Sequence, residues 1–126
     1  MKNKLILLLA VVTLLSCSKD KEQTKDPIIG FWKPVVLKDN GVDITDDCNI
    51  KSTADFHENG KAYIEVFEKV QNGCTPNPKR EASWRKKNGD VYEFNPTDGE
   101  PEEVPFKFIE NNTKFIDQNG SIWKKQ

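Results

Sequence analysis

The side chains best equipped for chemistry in this sequence are one histidine, three cysteines and several close-set carboxylates. His57 stands two residues after Asp55 and beside Glu58, Asp46 adjoins Asp47, and Glu100, Glu102 and Glu103 crowd one stretch. Such groups exchange protons in catalysis when a cleft desolvates them and drives their pKa values apart. A metal would need more: the single histidine and the spacing of Cys17, Cys48 and Cys74 match no zinc pattern. No serine occupies a nucleophile elbow, and no glycine-rich loop introduces a helix. Each carboxylate group falls in a turn signal or on the polar phase of an alternating run, where water surrounds it. The expectation is a non-enzyme with no catalytic residues, no cofactor and no metal.

The elements that carry these residues are short and β-rich. Strands are predicted at residues 30–38, 51–57, 61–69, 81–86, 91–94, 104–110, 114–117 and 121–125, about eight in all. Between them lie Asp39-Asn40-Gly41, Glu58-Asn59-Gly60, Lys87-Asn88-Gly89-Asp90 and Gln118-Asn119-Gly120, where Asn-Gly supplies the positive φ of a tight hairpin. Asn111-Asn112-Thr113 reads as one more hairpin turn. Several runs alternate cleanly: Ala54 and Phe56 oppose Asp55 and His57, Ala82 and Trp84 oppose Ser83 and Arg85, and Val104, Phe106 and Phe108 oppose Pro105 and Lys107. One apolar face per strand implies a shared interior. The third run is less tidy, with Ile64, Val66 and Val70 on one phase and Tyr63 and Phe67 on the other. Residues 72–78 carry two prolines and are expected to be irregular. Sequential hairpins of this kind close most easily into a small antiparallel up-and-down barrel, which leaves no exposed sheet edge; a sandwich of the same strands is the alternative.

The N-terminus has a different character. Lys2 and Lys4 precede an apolar run, residues 5–15, broken only by Thr13, which is the layout of a secretory signal. Eleven helical residues rise about 16 Å, roughly half of a hydrocarbon core, too short for a transmembrane span. A buried core helix fits less well, because the run is apolar all round and a strongly polar segment follows at once. Leu14-Leu15-Ser16-Cys17 resembles the lipobox of bacterial lipoproteins. The resemblance implies a diacylglyceryl group on the Cys17 sulfur, cleavage after Ser16 and acylation of the new amine; an ordinary secretory signal with an incidental cysteine is the alternative. Two or three acyl chains hold a protein to a bilayer stably, so the folded part need not contribute. Ser18, where many Gram-negative bacteria place aspartate to retain a lipoprotein in the inner membrane, favours the outer membrane.

Cleavage would remove two lysines and no acids, leaving 17 basic against 20 acidic residues, a net charge of −3 against −1 for the whole chain. No basic field is left to attract nucleic acid. Residues 17–26 then form the lipidated cysteine and a tether with no apolar side chain, and residues 27–126 form one small domain. With Cys17 committed to lipid, Cys48 and Cys74 are an even pair in an oxidising compartment and are expected to form a disulfide, a metal site being the alternative.

Gly30-Phe31-Trp32 looks like the glycine-x-tryptophan that opens lipocalin barrels. The order Trp32, Cys48, Phe56 to Gly60, Cys74, Trp84 and a closing strand at 121–125 is similar to that of the small lipocalin-like lipoproteins of the Bacteroidetes group. Two lipocalin features are missing: the central Thr-Asp-Tyr-type segment, and an arginine on the last strand covering the first tryptophan, for which Lys124 or Lys125 offers a substitute. The candidate barrel interior is Trp32, Phe56, Ile64, Val66, Trp84, Phe94, Phe106 and Phe108. In a domain of this size such side chains serve first to fill the core. The resemblance implies an outer-membrane lipoprotein whose barrel binds a small apolar or amphipathic ligand. The alternative is a protein-interaction module, an envelope assembly factor or protease inhibitor, with a filled barrel.

Overall fold

A computed structural model describes residues 24–126; the expected signal segment and Cys17 lie outside the described residues. The strands are β1 (Gly30–Val36), β2 (Lys38–Asp39), β3 (Val42–Asp43), β4 (Thr53–Phe56), β5 (Lys61–Glu65), β6 (Phe67–Val70), β7 (Gly73–Pro76), β8 (Arg80–Asn88), β9 (Val91–Pro96), β10 (Glu102–Pro105), β11 (Lys107–Ile109), β12 (Lys114–Ile116) and β13 (Ile122–Lys125). One 3-10 turn, Asn49–Lys51, precedes β4. Nine strands make one antiparallel sheet in the order β10-β9-β8-β5-β4-β1-β13-β12-β11.

That order determines the shape. β10 and β11 stand at opposite ends of the sheet, yet only Phe106 separates them in the chain. The sheet therefore curls until its two edges meet at Phe106. In effect one bent strand pairs with β9 along its first half and with β12 along its second. Counted so, the nine segments are eight strands in chain order around a nearly closed barrel. The fold is the expected all-β, up-and-down one.

Two expectations are corrected. Val66, expected inside, is 38% exposed. The third run breaks at this residue, where the chain leaves β5 and the barrel to form β6, so the alternating phase no longer points inward. Residues 72–78, expected to be irregular, contain β7, which pairs with β6 in a separate two-stranded ribbon. The Asn77 N–H donates to the Val66 carbonyl at 2.7 Å, so in an antiparallel ladder the next pair, Phe67 with Pro76, is a non-bonded one. The Pro76 nitrogen then faces the ribbon's outer edge, where no donor is needed.

Because the strands alternate in direction, their connections alternate between the two barrel ends. The turns at 57–60, 89–90 and 110–113 lie at one end with both chain ends of the domain; the segments 37–52, 66–79, 97–101 and 117–121 lie at the other. The first end is closed. Ile28 is fully buried there, and the Trp32 indole N–H donates to its carbonyl at 2.7 Å. Lys125 takes the place expected of a last-strand cation: its Nζ lies 4.9 Å from the Trp32 ring centre and donates to the Pro27 carbonyl at 2.9 Å. Burial draws the Lys125 ammonium below the ordinary lysine value, and Asp26 partly opposes this. Gly30 has φ of +141°, and a Cβ there would come within 3.2 Å of Lys125 Cε, so the first residue of the Gly-Phe-Trp motif has a steric reason to be glycine.

Tyr92, fully buried, completes this end by donating its hydroxyl to Asp26 Oδ1 at 2.5 Å. Burial and then the Asp26 carboxylate push the phenol well above its ordinary pKa. The unfolded chain ionises its tyrosines near pH 10, whereas folded Tyr92 stays neutral, so this contribution to stability is present below pH 10 and is lost as pH rises beyond it. Melting temperatures between pH 9 and about 11 should fall more steeply for the native protein than for Tyr92→Phe. Parallel slopes would reject the assignment. At neutral pH the same substitution should cost about 1.5–3 kcal/mol, the worth of a hydrogen bond to a charged acceptor.

Candidate functional site

Of the acid–base candidates only His57 and Asp55 meet, and they do so on the exposed surface rather than in a cleft. The Asp46 carboxylate accepts the Cys48 and Asn49 backbone N–H groups at 2.8 and 2.7 Å, holding the 3-10 turn. Asp47 pairs with Lys69 at 2.7 Å on the surface, which holds its carboxyl below the usual range. His57 Nε2 lies 3.0 Å from Asp55 Oδ2, exposed, with the Tyr63 ring against its edge. Glu58 pairs with Lys25 and Glu103 with Lys87, both in water. Among the described residues no three histidine, cysteine or acidic side chains converge on one point.

The interior is aromatic through its middle. Phe106, at the bend, meets Phe115 at 4.7 Å between ring centres, Tyr92 at 5.6 Å, Phe94 at 5.8 Å and Phe56 at 6.4 Å. Trp32 meets Phe115 edge-on at 4.7 Å. Of the expected interior residues, Trp32, Phe56, Phe94 and Phe106 are buried, while Ile64, Trp84 and Phe108 are half-buried and pack against them. Phe115, Tyr92 and Trp123 belong to the same cluster, beyond the residues expected there from sequence. Tyr92 shares the inward phase of Phe94 two residues on, so period two does mark it. Phe115 and Trp123 each have an apolar neighbour, Ile116 and Ile122, so alternation leaves their phase open.

The packing is incomplete at the second end. There a cavity of about 200 Å³ opens to solvent. Its floor and walls are Phe56, Phe94, Phe106, Phe115 and Trp123 with the smaller Ala54, Ile64, Ala82 and Val104; Arg80, Glu81, Glu102 and the 117–119 turn form its rim. The cavity has a simple cause. Ala54 on β4 and Ala82 on β8, one step below Arg80, turn small side chains inward and leave room that aromatic rings fill elsewhere in the barrel. Drug-sized ligands occupy about 300–1,000 Å³, whereas an apolar void of about 150 Å³ holds benzene, so the space suits a single ring or a short alkyl chain. At the rim, Asp117 is already committed: its Oδ1 accepts the Asn119 and Ser121 N–H groups at 3.0 Å and its Oδ2 accepts the Trp123 indole N–H at 3.1 Å. It fixes Trp123 rather than meeting a ligand.

At the mouth end, β2–β3, the 3-10 turn and the β6–β7 ribbon form a wall, in which the Cys48–Cys74 disulfide ties the ribbon to the turn at an S–S distance of 2.00 Å. Two buried serines fasten the wall to the barrel: Ser121 Oγ accepts the Lys38 N–H at 2.9 Å and Ser52 Oγ accepts the Phe67 N–H at 3.0 Å. No sequence signal distinguishes these serines from surface ones. The β2–β3 hairpin turns on Asn40 and Gly41, whose φ values of 48° and 82° are those the Asn-Gly pair predicts. Large apolar side chains stand exposed along the wall: Val42, Ile44, Ile50, Val66 and Val70. A second hollow, about 280 Å³, lies against the disulfide among Asp47, Lys51, Lys69 and residues 71–74, and is a polar crevice. No family model, curated protein or solved structure matches the chain.

Proposed function

We propose that the protein is an outer-membrane lipoprotein, held by lipid on Cys17, whose barrel binds a small apolar or amphipathic molecule at its open end. The observation that carries this reading is the solvent-open cavity of about 200 Å³ with five aromatic side chains in its lining. A void bounded by Phe56, Phe94, Phe106, Phe115 and Trp123 costs packing energy that a ligand would restore. The volume limits that ligand to a short chain or a single ring, or to the tip of a longer amphiphile whose polar end stays in water. Similarity to lipocalin-like lipoproteins, carried by Trp32 and the order of the cysteines and hairpins, supports the same reading by analogy of fold.

Trp123 in the lining gives a direct readout. Titration of the folded domain with small aromatic and short-chain amphiphilic probes should change tryptophan emission, and native mass spectrometry should retain one bound molecule. Ala82→Leu, which adds bulk where the cavity is open, should abolish both signals while leaving the circular dichroism spectrum unchanged. An unresponsive native protein, or an Ala82→Leu variant that binds as before, would sink the proposal. Lipid on Cys17 is tested by the mass of the N-terminal peptide from detergent-extracted membranes.

A second reading, a protein-interaction module such as an assembly factor or protease inhibitor, is favoured by a different observation. Five Val and Ile side chains of the wall segments are exposed, Val42 at 66% and Val70 at 56%. Exposed apolar groups grouped on one feature mark contact surfaces more often than single ones do. Crosslinking in intact envelopes from Val42 and Val70, compared with Lys33 on the barrel side, separates the two readings.

A further inference from the structure

We infer that the open end of the barrel faces away from the membrane, so that the small apolar or amphipathic molecule proposed above arrives from the aqueous side. The inference rests on the lipid anchor proposed above and on how the first described residues are held. Residues 26–29 are built into the closed end: Asp26 accepts the Tyr92 hydroxyl at 2.5 Å, Pro27 accepts Lys125 Nζ at 2.9 Å, and Ile28 is buried with its carbonyl on the Trp32 indole. The chain leading to Cys17 therefore leaves the domain at that end. The mouth, with Glu102, Asn119 and the disulfide-tied wall, is at the other.

Chain length makes this arrangement hard to reverse. Seven Cα-to-Cα steps separate Cys17 from Thr24. At full extension they reach about 24 Å. The longest strand, β8, has nine residues, which at a typical barrel tilt span about 23 Å of barrel height. Turning the mouth to the bilayer would use the whole reach of the tether along the barrel side, with nothing left to bridge the headgroups. The distribution of apolar surface agrees. Val35, Val42, Ile44, Ile50, Val66 and Val70 lie toward the mouth end, whereas Phe31 is the large apolar side chain exposed near the closed end among the described residues. Were the wall a membrane-dipping device instead, its position opposite the anchor would waste it.

The experiment uses the full chain, exported and lipidated in a bacterial host, then placed in vesicles of phosphatidylethanolamine and phosphatidylglycerol containing a headgroup-quencher lipid. A fluorophore is attached to a single added thiol, either at the closed end in Asn88→Cys or at the mouth in Glu100→Cys, both exposed positions. Several-fold stronger quenching at residue 88 than at residue 100 is expected. Equal quenching, or stronger quenching at residue 100, with lipid verified on Cys17 by mass, would overturn the orientation and leave the anchor standing. Absence of lipid on Cys17 would overturn both. A further variant, Tyr92→Phe with Lys125→Met, frees the docked segment and should narrow the difference between the two labels, which a merely crowded surface would not do.

Discussion

Replacing Phe106 with alanine will lower the unfolding free energy by about 3–5 kcal/mol and loosen the seam of the barrel. The residue has two jobs that coincide. Its backbone is the bend between β10 and β11, fixed by the Phe106 N–H donating to the Asp90 carbonyl at 2.8 Å. Its ring, 7% exposed, contacts the rings of Phe56, Tyr92, Phe94 and Phe115. Alanine keeps the bend and removes the ring, leaving a void that the facing aromatics cannot collapse into without leaving their own contacts. A domain of this size has about 5–15 kcal/mol in total, so the loss is a large share of it. Urea unfolding followed by tryptophan emission gives the value; Phe106→Leu, which keeps most of the volume, should cost well under half as much. A loss below about 1 kcal/mol for the alanine variant would mean that the barrel does not depend on this seam. The cavity gives a second readout. Phe106 also lines it, so the alanine variant should enlarge the mouth and admit larger probes than the native protein holds.

The barrel was legible in the sequence because its signal is local and repeated. Ala54 with Phe56, Ala82 with Trp84, and Val104 with Phe106 and Phe108 each declare an inward face, and the Asn-Gly pairs declare where the chain reverses. The missed features depend on relations between distant segments. Residues 104–110 read as one strand, and both halves are strand; that its two halves border opposite edges of the sheet follows only from closure. Val66 continues the inward phase of Ile64 in sequence, but the chain departs for the ribbon at that residue, and no side chain announces the departure. Pro76 argued against a strand because a central strand needs every N–H, whereas an edge of a two-stranded ribbon does not.

The candidate site was legible only in part. The aromatic residues that line the cavity were mostly visible, but whether they fill the interior is a matter of summed volume. The decisive residues are the small ones, Ala54 and Ala82, whose inward phase was clear and whose consequence, a gap near the mouth, was not. Cys48 and Cys74 were expected to pair on grounds of compartment and parity, and the structure places their Cα atoms 5.4 Å apart, bonded.

Breaking that bond, by reduction or by Cys48→Ala with Cys74→Ala, should cost about 3.5 kcal/mol, the loop-closure entropy released when a crosslink 26 residues apart in sequence is removed. The effect should be uneven. The barrel keeps its hydrogen-bonded seam, but a two-stranded ribbon such as β6–β7 is marginal by itself, and besides the disulfide its side contacts to the segment around the 3-10 turn include the exposed Lys69–Asp47 pair and the Ser52 hydroxyl. Hydrogen exchange in residues 67–76 should therefore accelerate well before global unfolding, while β4, β8 and β9 stay protected. A urea midpoint unchanged by reduction would reject the stabilising role. The same treatment divides the two functional readings. The cavity is lined by residues of the barrel and the 117–119 turn, none of them on the ribbon, so small-molecule binding should survive reduction. The exposed Val66 and Val70 belong to the segment that reduction releases, so a partner that docks on the wall should be lost. Ligand binding that disappears with the disulfide, or a partner that persists without it, would reverse the assignment of the two surfaces.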